Sequence, residues 1–164
     1  MSDPVFDSFL EVQQQEGFAL AALSDILDLE TDGSPLPQRY IARFRCRGLI
    51  KMTTGEILEA SLFTAGIWFP DNYLRTPDTK QVVSMFPPWL WHPNAAGPFI
   101  CLGKLTGGTP LVDILFQIYE VICYQKWSAH DGLNEEACEW ARNNQQRFPT
   151  DRRPLKWKGG ASQP

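Results

Sequence analysis

The 164-residue sequence predicts a single α+β domain: an amino-terminal helix, an antiparallel meander, a long ordered loop and carboxyl-terminal helices. Two changes of period predict it. Apolar residues recur at helical spacing near the start, at every second position from Arg39, and at helical spacing again from Leu111. Between the last two runs lies a stretch too rich in proline and glycine to repeat regularly.

Asp3-Pro4 is a helix start, because the carboxylate can accept from free amides of the first turn and proline has no amide to leave unpaired. Phe6, Phe9, Leu10, Leu20, Leu23, Ile26 and Leu27 then fall at helical spacing, predicting a helix from Pro4 to about Leu29, with Gly17 as a point of bending or division. The run Asp32-Gly33-Ser34-Pro35-Leu36-Pro37 breaks it. Beyond Arg39, Tyr40, Ala42, Phe44 and Cys46 share one side and Arg43, Arg45 and Arg47 the other, the pattern of a half-buried antiparallel strand. Thr53-Thr54-Gly55 turns the chain, residues 56–69 supply a second strand region, and residues 81–86 a third. Residues 87–108 are an ordered loop, with Pro87, Pro88, Pro93, Pro98 and four glycines.

Thr109-Pro110 opens the strongest helix, in which Leu111, Ile114, Leu115, Ile118 and Ile122 form a core-facing stripe. Asn134 caps a last helix, with Glu135 and Glu136 near its positive end and Ala137, Trp140 and Ala141 facing inward. Residues 1–150 are expected to form the domain, and residues 151–164 a basic tail that is mobile at its end.

The hydrophobic fraction of 43% and aromatic fraction of 12% exclude a disordered chain. A net charge of −4 carries no basic footprint for nucleic acid. The charge is uneven: residues 1–38 hold eight acidic side chains and no Lys or Arg, an end that should attract basic partners. No basic segment followed by an apolar run opens the sequence, and no apolar run approaches the roughly 18 residues of a membrane span, so a cytoplasmic protein is expected. Cys46, Cys101, Cys123 and Cys138 form no CxxC pair, which predicts reduced thiols, no zinc site and no disulfide framework. Without a glycine-rich phosphate loop or a ligand cluster, neither a metal nor a nucleotide cofactor is expected.

The chemistry concentrates between His92 and Cys101, where a cysteine follows a stiff turn carrying one of the two histidines. Sulfur is a soft nucleophile whose thioesters are stable enough to carry an acyl group and reactive enough to release it. The bland reading of a cysteine is a buried structural thiol, and it fits Cys46, Cys123 and Cys138, which fall within regular elements. Cys101 lies on an irregular loop after Gly97-Pro98 and reads as the nucleophile.

The order Cys46-Arg47-Gly48-Leu49, Phe69-Pro70-Asp71-Asn72-Tyr73, His92-Pro93-Asn94, Ile100-Cys101-Leu102 and then helices resembles the ubiquitin-conjugating enzymes from Arg39 to Asn144. It is most similar to the divergent bacterial branch found in antiphage operons. The resemblance implies that Cys101 bears a thioester. It implies for Asn94 either donation to the oxyanion formed when an amine attacks or a structural role pinning the loop, against the bland reading of a turn asparagine. His92 reads as a ring bonded to loop backbone, or as a general base. Asp131, in Ala129-His130-Asp131-Gly132-Leu133, matches the carboxylate that lies near the incoming lysine, or else bonds locally ahead of the last helix. Phe69, Pro70 and Tyr73 would brace the active loop.

The implied partner is a cGAS-like nucleotidyltransferase joined through its carboxyl terminus in a cyclic-oligonucleotide antiphage system (CBASS). The alternative is a ubiquitin-like modifier handed over by an activating enzyme. The sequence departs from the family pattern in a loop from Asn94 to Cys101 one residue shorter, in Leu74 where proline is usual, and in Gly107-Gly108-Thr109-Pro110 where a tryptophan is usual. The first helix is acidic where the family's is basic, which favours the nucleotidyltransferase. A non-catalytic scaffold of the same fold and a thiol hydrolase using His92 or His130 are the competing functions.

Overall fold

The computed structural model describes residues 2–128 and 132–159. Helix α1 spans Pro4–Ala22, and the Asp3 carboxylate caps it by accepting from the amides of Val5 and Phe6. The expected helix to about Leu29 ends seven residues early, because Ser24 turns the chain, its hydroxyl accepting from the amides of Ile26 and Leu27 at 3.1 Å. Leu27–Thr31 is instead strand β1, with Leu27 and Leu29 buried on alternate positions.

Strand β2 (Arg39–Phe44) pairs antiparallel with β1 and with β5 (Phe63–Trp68), and β5 pairs with β6 (Val83–Phe86), giving the sheet order β1-β2-β5-β6. The strand region expected over residues 56–69 divides into β4 (Ile57–Ala60) and β5, and β4 forms a separate hairpin with β3 (Gly48–Lys51). A four-residue helix, α2 (Thr79–Val82), leads into β6. Strands β7 (Ala95–Ala96) and β8 (Phe99–Ile100) are a minimal hairpin inside the expected loop. Helices α3 (Leu111–Ile122) and α4 (Glu135–Asn143) follow, the second capped by Asn134 as expected.

The core lies between the sheet and the helices α1 and α3. Tyr40, Ala42 and Phe44 of β2 and Phe63, Ala65 and Ile67 of β5 meet the stripe Leu111, Ile114, Leu115, Ile118 and Ile122, all buried. Each such aliphatic side chain contributes about 1.5–3 kcal/mol when buried. The two helices approach closely at Gly17, where a Cβ would stand 2.7 Å from the Leu111 side chain. Pro110 offers no capping side chain, so α1 supplies one: the Leu111 amide donates to Gln13 Oε1 at 2.7 Å.

The chain beyond Thr150, expected as a tail, is packed from Asp151 to Gly159. Leu155 is buried in the core, the Tyr119 hydroxyl donates to the Arg153 carbonyl, and the Asp25 amide donates to the Trp157 carbonyl at 2.8 Å. Residues 160–164 lie outside the described residues. Among the described residues, no helix is long and apolar enough to cross a membrane, and no His, Cys, Asp and Glu side chains gather to hold a metal.

Candidate active site

Cys101 follows directly on β8, in a stretch where Ile100 and Leu102 are buried and the residues between and after them are not. The two apolar neighbours anchor the backbone and leave the thiol outside, so Cys101 is exposed while Cys46, Cys123 and Cys138 are buried. Burial pushes the Cys123 thiol up to about 12 and the Cys46 thiol up as well, which leaves both protonated and inert.

The short hairpin sets what Cys101 faces. Ala95 pairs with Ile100 and Ala96 with Phe99, and Gly97 takes the turn at a φ of 60°, a left-handed value that favours glycine. The Cys101 amide then donates to the Asn94 carbonyl at 2.8 Å, adding one more rung. The structure thus brings Asn94 and Cys101 opposite each other. Both line a cleft of about 690 Å³, bounded on its far side by Asp113, Gln117 and Glu120 of α3 and by Lys126. Asn94 Oδ1 is buried and has no hydrogen-bond partner among the described residues.

His92 is fully buried, and both ring nitrogens are engaged. Nδ1 accepts from the Asn94 amide at 2.9 Å, so the proton sits on Nε2, which donates to the Lys126 carbonyl at 3.0 Å. Burial pulls the ring pKa down to about 3 against the opposing pull of that second bond, which keeps the imidazole neutral. A neutral ring with both nitrogens bonded has no lone pair free to abstract a proton.

Neighbouring segments clamp the turn from three sides. The Trp91 amide donates to the Leu49 carbonyl of β3 at 2.8 Å, and the Tyr124 hydroxyl donates to the Trp91 carbonyl. Tyr124 adopts a φ of 58°, and its ring lies 4.5 Å from that of His92. The Asn134 amide donates to the Pro93 carbonyl at 3.1 Å, and a Cβ at Gly132 would stand 2.6 Å from that same carbonyl oxygen. Asp131 lies outside the described residues.

Gln117 is a site residue that the periodicity did not single out. Its amide brackets the Lys104 backbone, accepting from the amide at 2.9 Å and donating to the carbonyl at 2.8 Å, which fixes the strand of chain leaving Cys101. The available signal was its spacing from Asp113 and Glu120, which puts the three polar side chains of α3 on the face opposite the apolar stripe. Phe69 and Tyr73 pack on Phe9 of α1, and the Tyr73 hydroxyl donates to the Thr109 carbonyl at 2.6 Å, so they brace the approach to α3. Leu74 and Gly107 meet in space: a side chain at Gly107 would collide with the Leu74 carbonyl.

No protein-family model matches the chain, and no curated protein matches it by sequence. Among solved structures, it is similar to a domain of a ubiquitin conjugating enzyme from Toxoplasma gondii, with a TM-score of 0.53 and 19% identity over 82% of this chain and 90% of that one. The fold is ubiquitin-conjugating-enzyme-like.

Proposed function

We propose that the chain is a bacterial, cytoplasmic ubiquitin-conjugating-like transacylase of antiphage defence. Cys101 forms a thioester with the carboxyl terminus of a cGAS-like nucleotidyltransferase in a CBASS system. The observation that carries this reading is the exposed thiol set one rung from Asn94 at the edge of a cleft, in a conjugating-enzyme fold.

The reaction runs in two acyl transfers. An activating enzyme presents the carboxyl terminus as a thioester. The Cys101 sulfur attacks its carbonyl carbon, the new C–S bond forms as the donor's C–S bond breaks, and the donor thiol leaves with the proton. An acceptor amine then attacks the Cys101 thioester. The Asn94 side-chain amide donates to the oxyanion, a contribution of about 3 kcal/mol in comparable acyl transfers. Collapse breaks the C–S bond, the nitrogen loses its proton, and Cys101 is regenerated beside a new amide. Asp131 orients the incoming amine. His92 is a positioning residue that holds the Asn94 backbone and takes no proton.

A ubiquitin-like modifier as the passenger uses the same chemistry. The exposed Glu11 and Glu16 of α1 favour a basic docking surface on whichever partner delivers it. The hydrolase reading through His92 loses support from that ring's burial, while His130 lies outside the described residues, and the scaffold reading loses support from the exposed thiol. Co-expression of wild type and Cys101→Ala with the neighbouring genes of its operon tests the proposal. A Cys101-dependent adduct on a non-reducing gel, cleaved by hydroxylamine, supports it. Conjugates that persist in Cys101→Ala contradict it.

A further inference from the structure

A second depression, of about 780 Å³, shares no lining residue with the Cys101 cleft. Arg45, Arg47, Arg152 and Arg153 converge on it, and Trp157 and Cys46 supply apolar wall. Two of the four guanidinium groups are neutralised in place. Asp28 pairs with Arg45, and Asp151 takes Arg153 through Nε at 3.0 Å and Nη2 at 2.7 Å. Arg47 and Arg152 have no carboxylate partner among the described residues, so two guanidinium groups of the depression are not ion-paired.

Three of the four arginines, Arg45, Arg47 and Arg153, are hydrogen-bonded within the protein. Asp151 is itself buried, and the Arg153 guanidinium also donates to the Arg45 carbonyl at 3.0 Å. Arg47 donates to the Thr150 carbonyl at 3.2 Å. Leu155 in the core and the Trp157 carbonyl bonded to Asp25 fix the wall on the other side. Groups already ordered lose less entropy on binding.

We propose that this depression binds a nucleotide-sized phosphate monoester, with the phosphate on Arg47 and Arg152 and a ring against the Trp157 indole. A phosphate monoester carries about −1.5 to −2 charge at neutral pH, which matches two free guanidiniums better than a single carboxylate does. Guanidinium forks bind phosphate oxygens in pairs. Recognition here rests on arginines, and needs no glycine-rich loop.

Isothermal titration of the full chain with adenosine monophosphate, adenosine, inorganic phosphate and a glutamate-rich peptide tests the proposal. Adenosine monophosphate binds wild type and binds more tightly than phosphate. The double variant Arg47→Gln/Arg152→Gln weakens it about tenfold or more. Trp157→Ala lowers its affinity to that of phosphate and leaves phosphate unchanged. Unaltered circular dichroism and thermal midpoint verify that the variants fold. The proposal is overturned if the double variant binds as wild type does, if adenosine binds as well as its monophosphate, if the peptide binds more tightly, or if none of the four binds.

Discussion

Cys101 and Asn94 sit opposite each other across the end of a two-rung hairpin, the amide of the first bonded to the carbonyl of the second at 2.8 Å. The side chain that would receive the acyl group and the amide that would steady its transition state are therefore held on one rigid unit. That unit is fixed in turn by His92, whose ring accepts from the Asn94 amide and donates to Lys126. Local backbone geometry couples the two residues.

Asn94→Ala should separate the two acyl transfers. Thioester formation persists, while discharge to an amine slows by about 100-fold or more, the loss expected for one oxyanion donor. Single-turnover discharge of the preloaded protein measures it. Equal slowing of both steps would instead mean that Asn94 only holds the loop.

The thiols should differ sharply in access. In the folded protein one thiol, Cys101, reacts rapidly with an aromatic disulfide reagent, and Cys46, Cys123 and Cys138 react only on unfolding. Counting released thiolate with and without denaturant checks this, with Cys101→Ala as the control that removes the fast phase.

His92 should make stability fall in mild acid. Its folded pKa of about 3 lies below the ordinary 6.5, so below that value the unfolded chain gains a proton that the native ring refuses. The contribution is complete above about pH 6.5 and declines as pH falls towards 3. Between about pH 6 and pH 4 the loss is on the order of 2 kcal/mol. Denaturant unfolding across that interval should show a shallower decline for His92→Gln, at a lower overall stability because buried partners lose their bonds.

Gln13→Leu should destabilise the domain by about 1–3 kcal/mol, since the buried Leu111 amide loses its acceptor and no side chain at Pro110 replaces it. Chemical denaturation measures it. An unchanged midpoint would mean that water or a shifted turn satisfies the amide.

Local pattern made much of this legible. The alternation of Tyr40, Ala42 and Phe44 gave β2, the apolar stripe gave α3, and Asn134 capped α4 as its residue type indicates. The early end of α1 was hidden because Leu23, Ile26 and Leu27 also fit helical spacing. Only the Ser24 hydroxyl, bonding two amides ahead of it, turns that run into a strand. The packing of residues 151–159 was hidden for another reason: its partners lie far away in sequence, Tyr119 and Arg45 for Arg153 and Asp25 for Trp157, while Leu155 is buried in the core. The closeness of Cys101 and Asn94 was legible through motif order. Gln117, which acts by bracketing Lys104 across a loop, was not.

Tandem mass spectrometry of the co-expressed adduct reads directly whether Cys101 carries the acyl group. A thioester there gives an adduct one water lighter than the summed masses, with the partner's carboxyl-terminal residue on the peptide containing Cys101 and removed by hydroxylamine. A linkage on another residue, or a deficit of two hydrogens reversed by thiol and so a disulfide, would contradict it.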